Sequence, residues 1–316
     1  MPVPSSAQPS AWRSPHGRSL PAVGGRTLLM AVLNVTPDSF SDGNQLPTPQ
    51  AVVDRAGEVI AAGADVLDLG GESTRPGAAS VAAAEESARV LPAIAAVRRA
   101  WPDVPISIDT SKADVAVAAV RAGADIVNDV WGLTHGLPAA ERHRWLAAAR
   151  AHGAAHAPPP APTPMAAAVA ALRCPVVAMH NRPARDYTDF WRDLLLDLQL
   201  SLALAAAAAI PAPQIWLDPG FGFAKDVPQN LAVVRDLARV VALGHPVLLG
   251  TSRKSTLGRV LNAEVGDRLD GTGATVVWGI QQGCAMVRVH DVAAMRRYVR
   301  LADALRQGLD FSDETK

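Results

Sequence analysis

Eight times along the chain a short apolar run closes on a polar side chain, at positions 28–34, 66–68, 106–109, 126–128, 176–180, 215–218, 247–253 and 286–290. Alanine-rich stretches long enough for a helix separate most neighbours. A strand followed by a helix, repeated eight times, predicts the α/β class and a (β/α)8 TIM barrel, whose reactive groups gather where the strands end. Such a barrel would carry Asn34, Arg75, Asp109, Asn128, Asp218, Lys254, Arg288 and His290 into one mouth.

The turn signals place the helices. Residues 50–63 have helical period and stop at Gly63, residues 82–100 follow with Glu85 and Glu86 in their first turn, and residues 113–121 stop before Gly123. Between the fourth and fifth strands lies a Pro/Ala-rich insertion near 154–172. A helix over 139–152 is followed by Ala157-Pro-Pro-Pro-Ala-Pro-Thr-Pro164 and a further alanine-rich piece to Leu172. Proline cannot continue a helix interior, so this insertion reads as a mobile return on the face opposite the site, outside the chemistry. The expected organisation is one barrel domain over 27–310, an N-terminal extension over 1–26 and a polar tail over 311–316. The first 26 residues hold Arg13, Arg18 and Arg26 and no acid, a composition shared by transit peptides, though a plain lead-in to the first strand is the simpler reading.

At 316 residues the chain can bury a large core as a single barrel. Lys plus Arg and Asp plus Glu are equal at 30 each, so no global field draws it to nucleic acid or a membrane surface, and anion binding must come from local clustering. The longest apolar stretch, 194–210, contains Asp197 and Gln199 and reads as an amphipathic helix rather than a membrane span. Cys174 and Cys284 lack metal-ligand spacing and suit buried positions in a reducing compartment, the cytoplasm.

Several loops are richer in chemistry than turns require. Asn34-Val-Thr-Pro-Asp-Ser-Phe-Ser-Asp-Gly43 combines two acids with three hydroxyls, and Asn34 could offer an amide oxygen to a hard cation such as Mg2+. Gly70-Gly-Glu-Ser-Thr-Arg-Pro-Gly77 joins paired glycines to Arg75, whose planar fork suits phosphate. Asp109, Asn128 and Asp218 end three strands. One such residue is ordinarily a helix N-cap, but three converging match a heterocycle with adjacent N–H and NH2 donors. Gly250-Thr-Ser-Arg-Lys-Ser255 follows the seventh strand, where barrels often bind phosphate, and period two sets Arg288 and His290 on one side of the eighth. Arg75, Arg253, Lys254, Arg288 and His290 would thus form a positive cluster for a substrate bearing a di- or triphosphate. Neither Gly-x-Gly-x-x-Gly nor a P-loop occurs, which argues against a dinucleotide or ATP site.

These motifs, with Ile108-Asp-Thr110, Met179-His180 and Asp218-Pro-Gly-Phe-Gly-Phe223, resemble dihydropteroate synthase in order from about residue 27 to 306. The resemblance implies an enzyme of folate biosynthesis, a transferase joining 7,8-dihydropterin-6-ylmethyl diphosphate to 4-aminobenzoate with release of diphosphate. Carried over by position, Asp109, Asn128, Asp218 and Lys254 would hold the pterin, with Phe223 and Met179 beside it. Asn34, Thr74, Arg75, Arg288 and His290 would hold the diphosphate, with Mg2+ at Asn34. Thr74, Pro76, Phe223 and Ser255 would border an aminobenzoate pocket that sulfonamides also enter. Asp109, Asp218, Lys254 and Arg75 would carry the chemistry, and the family suggests a homodimer through outer helices.

The chain departs from the usual pattern at Asn44, where a second glycine is common, and at Asn181-Arg-Pro183. Two rivals share the pterin pocket: a methyltetrahydrofolate–corrinoid methyltransferase, which has no use for a basic cluster, and a paralogue that binds without turnover.

Overall fold

The computed structural model describes residues 12–36, 48–73 and 81–308. The first half of the chain forms β1 (Leu28–Asn34), α1 (Pro49–Ala61), β2 (Val66–Gly70), α2 (Ala83–Ala100), β3 (Ile106–Asp109), α3 (Ala113–Arg121), β4 (Ile126–Asp129), α4 (Ala139–His152) and α5 (Pro164–Leu172). The second half supplies β5 (Val176–Met179), α6 (Phe190–Ala207), β6 (Ile215–Asp218), α7 (Val227–Arg235), α8 (Ala238–Val241), β7 (Leu248–Leu249), α9 (Ser255–Leu261), α10 (Leu269–Gln281), β8 (Met286–Val289) and α11 (Val292–Gln307).

All pairings are parallel, in the order β6-β5-β4-β3-β2-β1-β8-β7, and a bridge between Leu217 and Val247 joins the two ends. The result is the expected (β/α)8 barrel. Among the described residues, four helices start at a side-chain acceptor, α1, α5, α6 and α7. Thr48 caps α1 ahead of Pro49, and Asp226 with Gln229 closes a capping box on α7. After α3, Gly123 turns the chain with φ +120°, where a β-carbon would also press on Arg98.

Alternation along the strands sorts side chains between two compartments. Leu29, Ala31, Leu33, Leu67, Ile106, Ile108 and Val127 point outward into the layer between sheet and helices. Leu28, Met30, Val66, Ile126, Val177, Trp216, Leu248 and Met286 point inward and fill the floor of the barrel. Two residues further along the same inward rows stand Asp68, Asn128, Met179, Asp218 and Arg288. One periodicity thus builds an apolar floor and a polar mouth.

The floor is closed by residues that the sequence reading treated as an extension. Trp12 is buried, its ring 4.7 Å from that of Trp216, and its indole Nε1 donates to the Pro21 carbonyl at 2.8 Å. Asp125, fully buried, accepts from Ser14 Oγ, Arg18 Nε at 2.9 Å and Arg98 Nη2 at 2.7 Å, fastening this segment to the barrel.

The proline-rich insertion departs from expectation. α4 runs antiparallel to α6, with Arg142 on Asp197 at 2.8 Å and Arg150 on Asp193 at 3.0 Å. The proline run then returns to the site face, where Thr163 caps α5 and its Oγ1 donates to the Leu133 carbonyl just beyond β4 at 2.6 Å. Pro160 is buried, and the Ala161 amide donates to Glu141 at 2.9 Å. The insertion is therefore α4 plus the proline run, tied down beside the strand ends rather than loose on the opposite face. A run of prolines excludes helix interior, though the single Pro92 sits within α2, but it does not say on which face the chain turns back.

Candidate active site

At the mouth, Arg288 from β8 reaches across to two carboxylates, donating from Nε to Asp68 at 2.6 Å and from Nη2 to Asp109 at 2.8 Å. Asn128 donates from Nδ2 to the same Asp68 oxygen at 3.0 Å. Asp218, at the end of β6, accepts the Gly220 amide at 2.7 Å. Lys254, which precedes the first turn of α9, donates to the Phe221 carbonyl, and its ammonium lies 4.6 Å from the centre of the Phe223 ring. Asp109, Asn128, Asp218, Lys254, Arg288, Phe223 and the buried Met179 thus share one cavity mouth, as the strand-end argument required.

Asp68 was missed. It is fully buried within β2, paired in register with Ser107 and Val32, and the sequence reading took it only as the end of an apolar run. The available signal was a lone charge inside a strand buried on both faces, which demands a partner.

Burial raises the Asp109 carboxyl above its ordinary value, with the Arg288 charge opposing and Asp68 adding to the rise. Burial likewise raises Asp218, opposed first by Lys254. Burial lowers Lys254 to about 8, with Asp218 pulling the other way, so it stays largely cationic at neutral pH. For Arg288 burial disfavours the charge, but Asp68 and Asp109 outweigh it and hold the guanidinium firmly ionised. Asp68 Oδ1 and Asp109 Oδ1 are buried without a hydrogen-bond partner among the described residues, an arrangement that suits a ligand bringing N–H donors.

The expected positive cluster needs correction. Arg253 is exposed and pairs with Asp291, at 2.8 Å from Nε, on the outer rim. Arg288 is neutralised by Asp68 and Asp109, which leaves Lys254 with Asp218 nearby. Among the described residues the mouth therefore sets three carboxylates, Asp68, Asp109 and Asp218, against the two cations Arg288 and Lys254, so the acids that face the strand-end cations cancel the expected positive field. His290 is half-buried and bonds Ser252 Oγ through its amide at 3.2 Å and Nδ1 at 3.0 Å. Ser255 is exposed at the start of α9, and Asn34 is half-buried at the end of β1.

Thr74, Arg75 and Pro76 lie outside the described residues, as does the stretch from Pro37 to Gly43. The flanks of the second loop are anchored: Glu72 accepts the Val81 amide at 2.8 Å, and Lys112 bridges Glu72 at 2.7 Å and Glu86 at 2.5 Å. No cluster of three His, Cys, Asp or Glu suited to a metal occurs among the described residues.

Residues 30–290 match the family of pterin binding enzymes. The chain belongs to that family. It is 46% identical over 280 residues to the dihydropteroate synthase of Bacillus subtilis, with 89% of each chain covered. The dihydropteroate synthase of Xanthomonas albilineans, solved with 4-aminobenzoic acid, superposes with a TM-score of 0.79 at 37% identity, covering 94% of this chain and all of the other. That of Yersinia pestis, solved as a sulfonamide drug complex, gives a TM-score of 0.77 at 34% identity over 92% of this chain and 98% of the other. With relatives of this similarity along nearly its whole length, the chain is a transferase of the dihydropteroate synthase type.

Proposed function

We infer that this chain condenses 7,8-dihydropterin-6-ylmethyl diphosphate with 4-aminobenzoate to give 7,8-dihydropteroate and diphosphate. The observation that carries this reading is the ring of Asp68, Asp109, Asn128 and Asp218 beside Lys254 and Arg288, with Asp68 Oδ1 and Asp109 Oδ1 buried and without a hydrogen-bond partner among the described residues. A carboxylate accepts two parallel hydrogen bonds from an N–H/NH2 edge, and the flat ring fits among inward-facing side chains. The methylene C–O bond breaks with its electron pair leaving on diphosphate, and the neutral aniline nitrogen forms the new C–N bond and then loses a proton. Asp109 and Asp218 supply negative charge beside the cation that develops on the pterin methylene, and Lys254 and Arg288 orient the ring and its anionic tail. An arylamine is unprotonated at neutral pH, so no strong base is required.

Mg2+ belongs to this proposal. A single amide oxygen from Asn34, with the diphosphate itself, fits an ion that usually keeps several waters and binds through substrate phosphates. When bound, it would neutralise charge on the leaving diphosphate. Arg75 and His290 are proposed diphosphate contacts, while Thr74, Pro76 and Ser255 would border the aminobenzoate pocket, where sulfonamides would compete.

The protein is proposed to act in the cytoplasm, as its two buried free cysteines suit, and no described helix is long and apolar enough to cross a membrane. A homodimer through outer helices is supported by Val260, Leu261, Leu269, Trp278, Leu301 and Leu305, which stay exposed on α9, α10 and α11. Turnover is tested by diphosphate release with both substrates. Wild type should release diphosphate only when 4-aminobenzoate is present, and Asp109→Asn should lose at least about tenfold, equivalent to about 1.4 kcal/mol in the barrier. No release despite pterin binding would refute the reading.

A further inference from the structure

The turn after β6 is unusual in its backbone. Gly220, Gly222 and Ala224 have φ of +69°, +86° and +46°, so three of five consecutive residues are left-handed and one of them carries a side chain. The turn is also pressed against the end of β5: a β-carbon on Gly220 would sit 1.9 Å from the His180 carbonyl oxygen. Such a conformation persists only where its surroundings hold it.

What holds it is the buried side chain of Lys225. Lys225 Nζ lies 2.9 Å from the Gly220 carbonyl, 3.0 Å from the Phe223 carbonyl and 2.9 Å from His180 Nδ1. Three N–H bonds meet three acceptors, so none is left over for a substrate. The Asp197 carboxylate, whose Oδ2 lies 3.2 Å from His180 Nε2, can only accept, which puts the imidazole proton on Nε2 and leaves Nδ1 to accept from Lys225. Asp197 is fixed in turn by Arg182 Nε and by Arg142 Nη2 at 2.8 Å. Tyr187 stacks on the His180 ring and carries Arg182 on its own face at 4.4 Å.

We propose that Lys225, oriented by the Asp197–His180 pair, is a positioning residue for the aminobenzoate half of the site. The inference rests on the functional reading above. Two lysines grip the same turn: Lys254 at the Phe221 carbonyl and over the Phe223 ring, Lys225 at the Gly220 and Phe223 carbonyls. The proposed pterin contacts Asp109 and Asn128 stand on the ends of β3 and β4, away from this turn, and Asp218 at the end of β6 meets it through the Gly220 amide. Phe223 stands on the turn itself, so loosening it falls on the aminobenzoate wall first.

The test is Lys225→Met in the full chain, which keeps the length of the side chain and removes its three donors. The KM for 4-aminobenzoate should rise at least about tenfold, while the calorimetric Kd for the pterin diphosphate stays within about threefold. A KM within about twofold of wild type, or a parallel loss of both affinities, overturns the proposal. Should that variant not fold, nitrogen NMR of wild-type His180 decides: an unprotonated Nδ1 with a protonated Nε2 supports the chain of contacts, and the opposite tautomer overturns it. Turnover of wild type in the same assay separates failure of this inference from failure of the functional reading.

Discussion

Asp68→Asn tests whether the missed carboxylate organises the mouth. The substitution keeps shape and removes one charge from a fully buried position that holds Arg288 at 2.6 Å and Asn128 at 3.0 Å. Stripping one partner from a buried ion pair costs about 3–5 kcal/mol, and a hydrogen bond to a charged group is worth about 1.5–3 kcal/mol. Arg288 keeps its second bridge, to Asp109 at 2.8 Å, and an amide oxygen can still accept from it, so the lower range governs. Losing the Asp68 charge also relieves its repulsion of Asp109, which returns part of the loss. The net expectation is about 2 kcal/mol of stability, or roughly 4 °C in Tm for a chain of this size. Loosening Arg288 should lower kcat/KM for the pterin diphosphate about tenfold. Thermal unfolding read beside a diphosphate-release assay checks both. A Tm within about 1 °C and kcat/KM within about twofold of wild type would falsify the assignment of Asp68 as the anchor of Arg288.

Two further outcomes follow from the same contacts. Trp12→Ala opens the barrel floor against Trp216 and should cost about 3–5 kcal/mol in urea unfolding while leaving KM for both substrates unchanged, since the site lies at the other end; an unchanged midpoint would show that the N-terminal segment does not seal the floor. Acid should weaken the fold through His180, whose pKa burial lowers to about 4, with Lys225 adding to the fall and Asp197 opposing it. The unfolded chain then binds a proton that the native state refuses, so this contribution is whole above about pH 6.5 and declines as pH falls toward about 4. Asp109 and Asp129, both raised by burial, act in the opposite sense over part of that range, so the measurement is the difference between wild type and His180→Asn in urea midpoints at about pH 7 and about pH 4.5. An identical pH dependence in the two proteins would exclude His180 as the acid-sensitive group.

The alternation of strands and helices was legible because both periods are local properties of the chain. β1, β3 and β6 fall on the expected spans, as do α3 and α4. Strand ends were also legible, so the sequence alone places Asp109, Asn128, Asp218 and Arg288 in one mouth, given that parallel strands closing a barrel send their ends the same way. Tertiary structure alone decided the partners. Asp68 meets Arg288 across 220 positions of sequence and Trp12 meets Trp216 across the barrel floor, contacts that exist only once closure sets the register. The same holds for Arg253, which turned to Asp291 on the rim, and for the proline run, which turned back to the site face. Hydrophobic period records which way a side chain points; pairing between charges depends on which side chains closure brings within a few ångströms of one another, and the linear pattern carries no such distance.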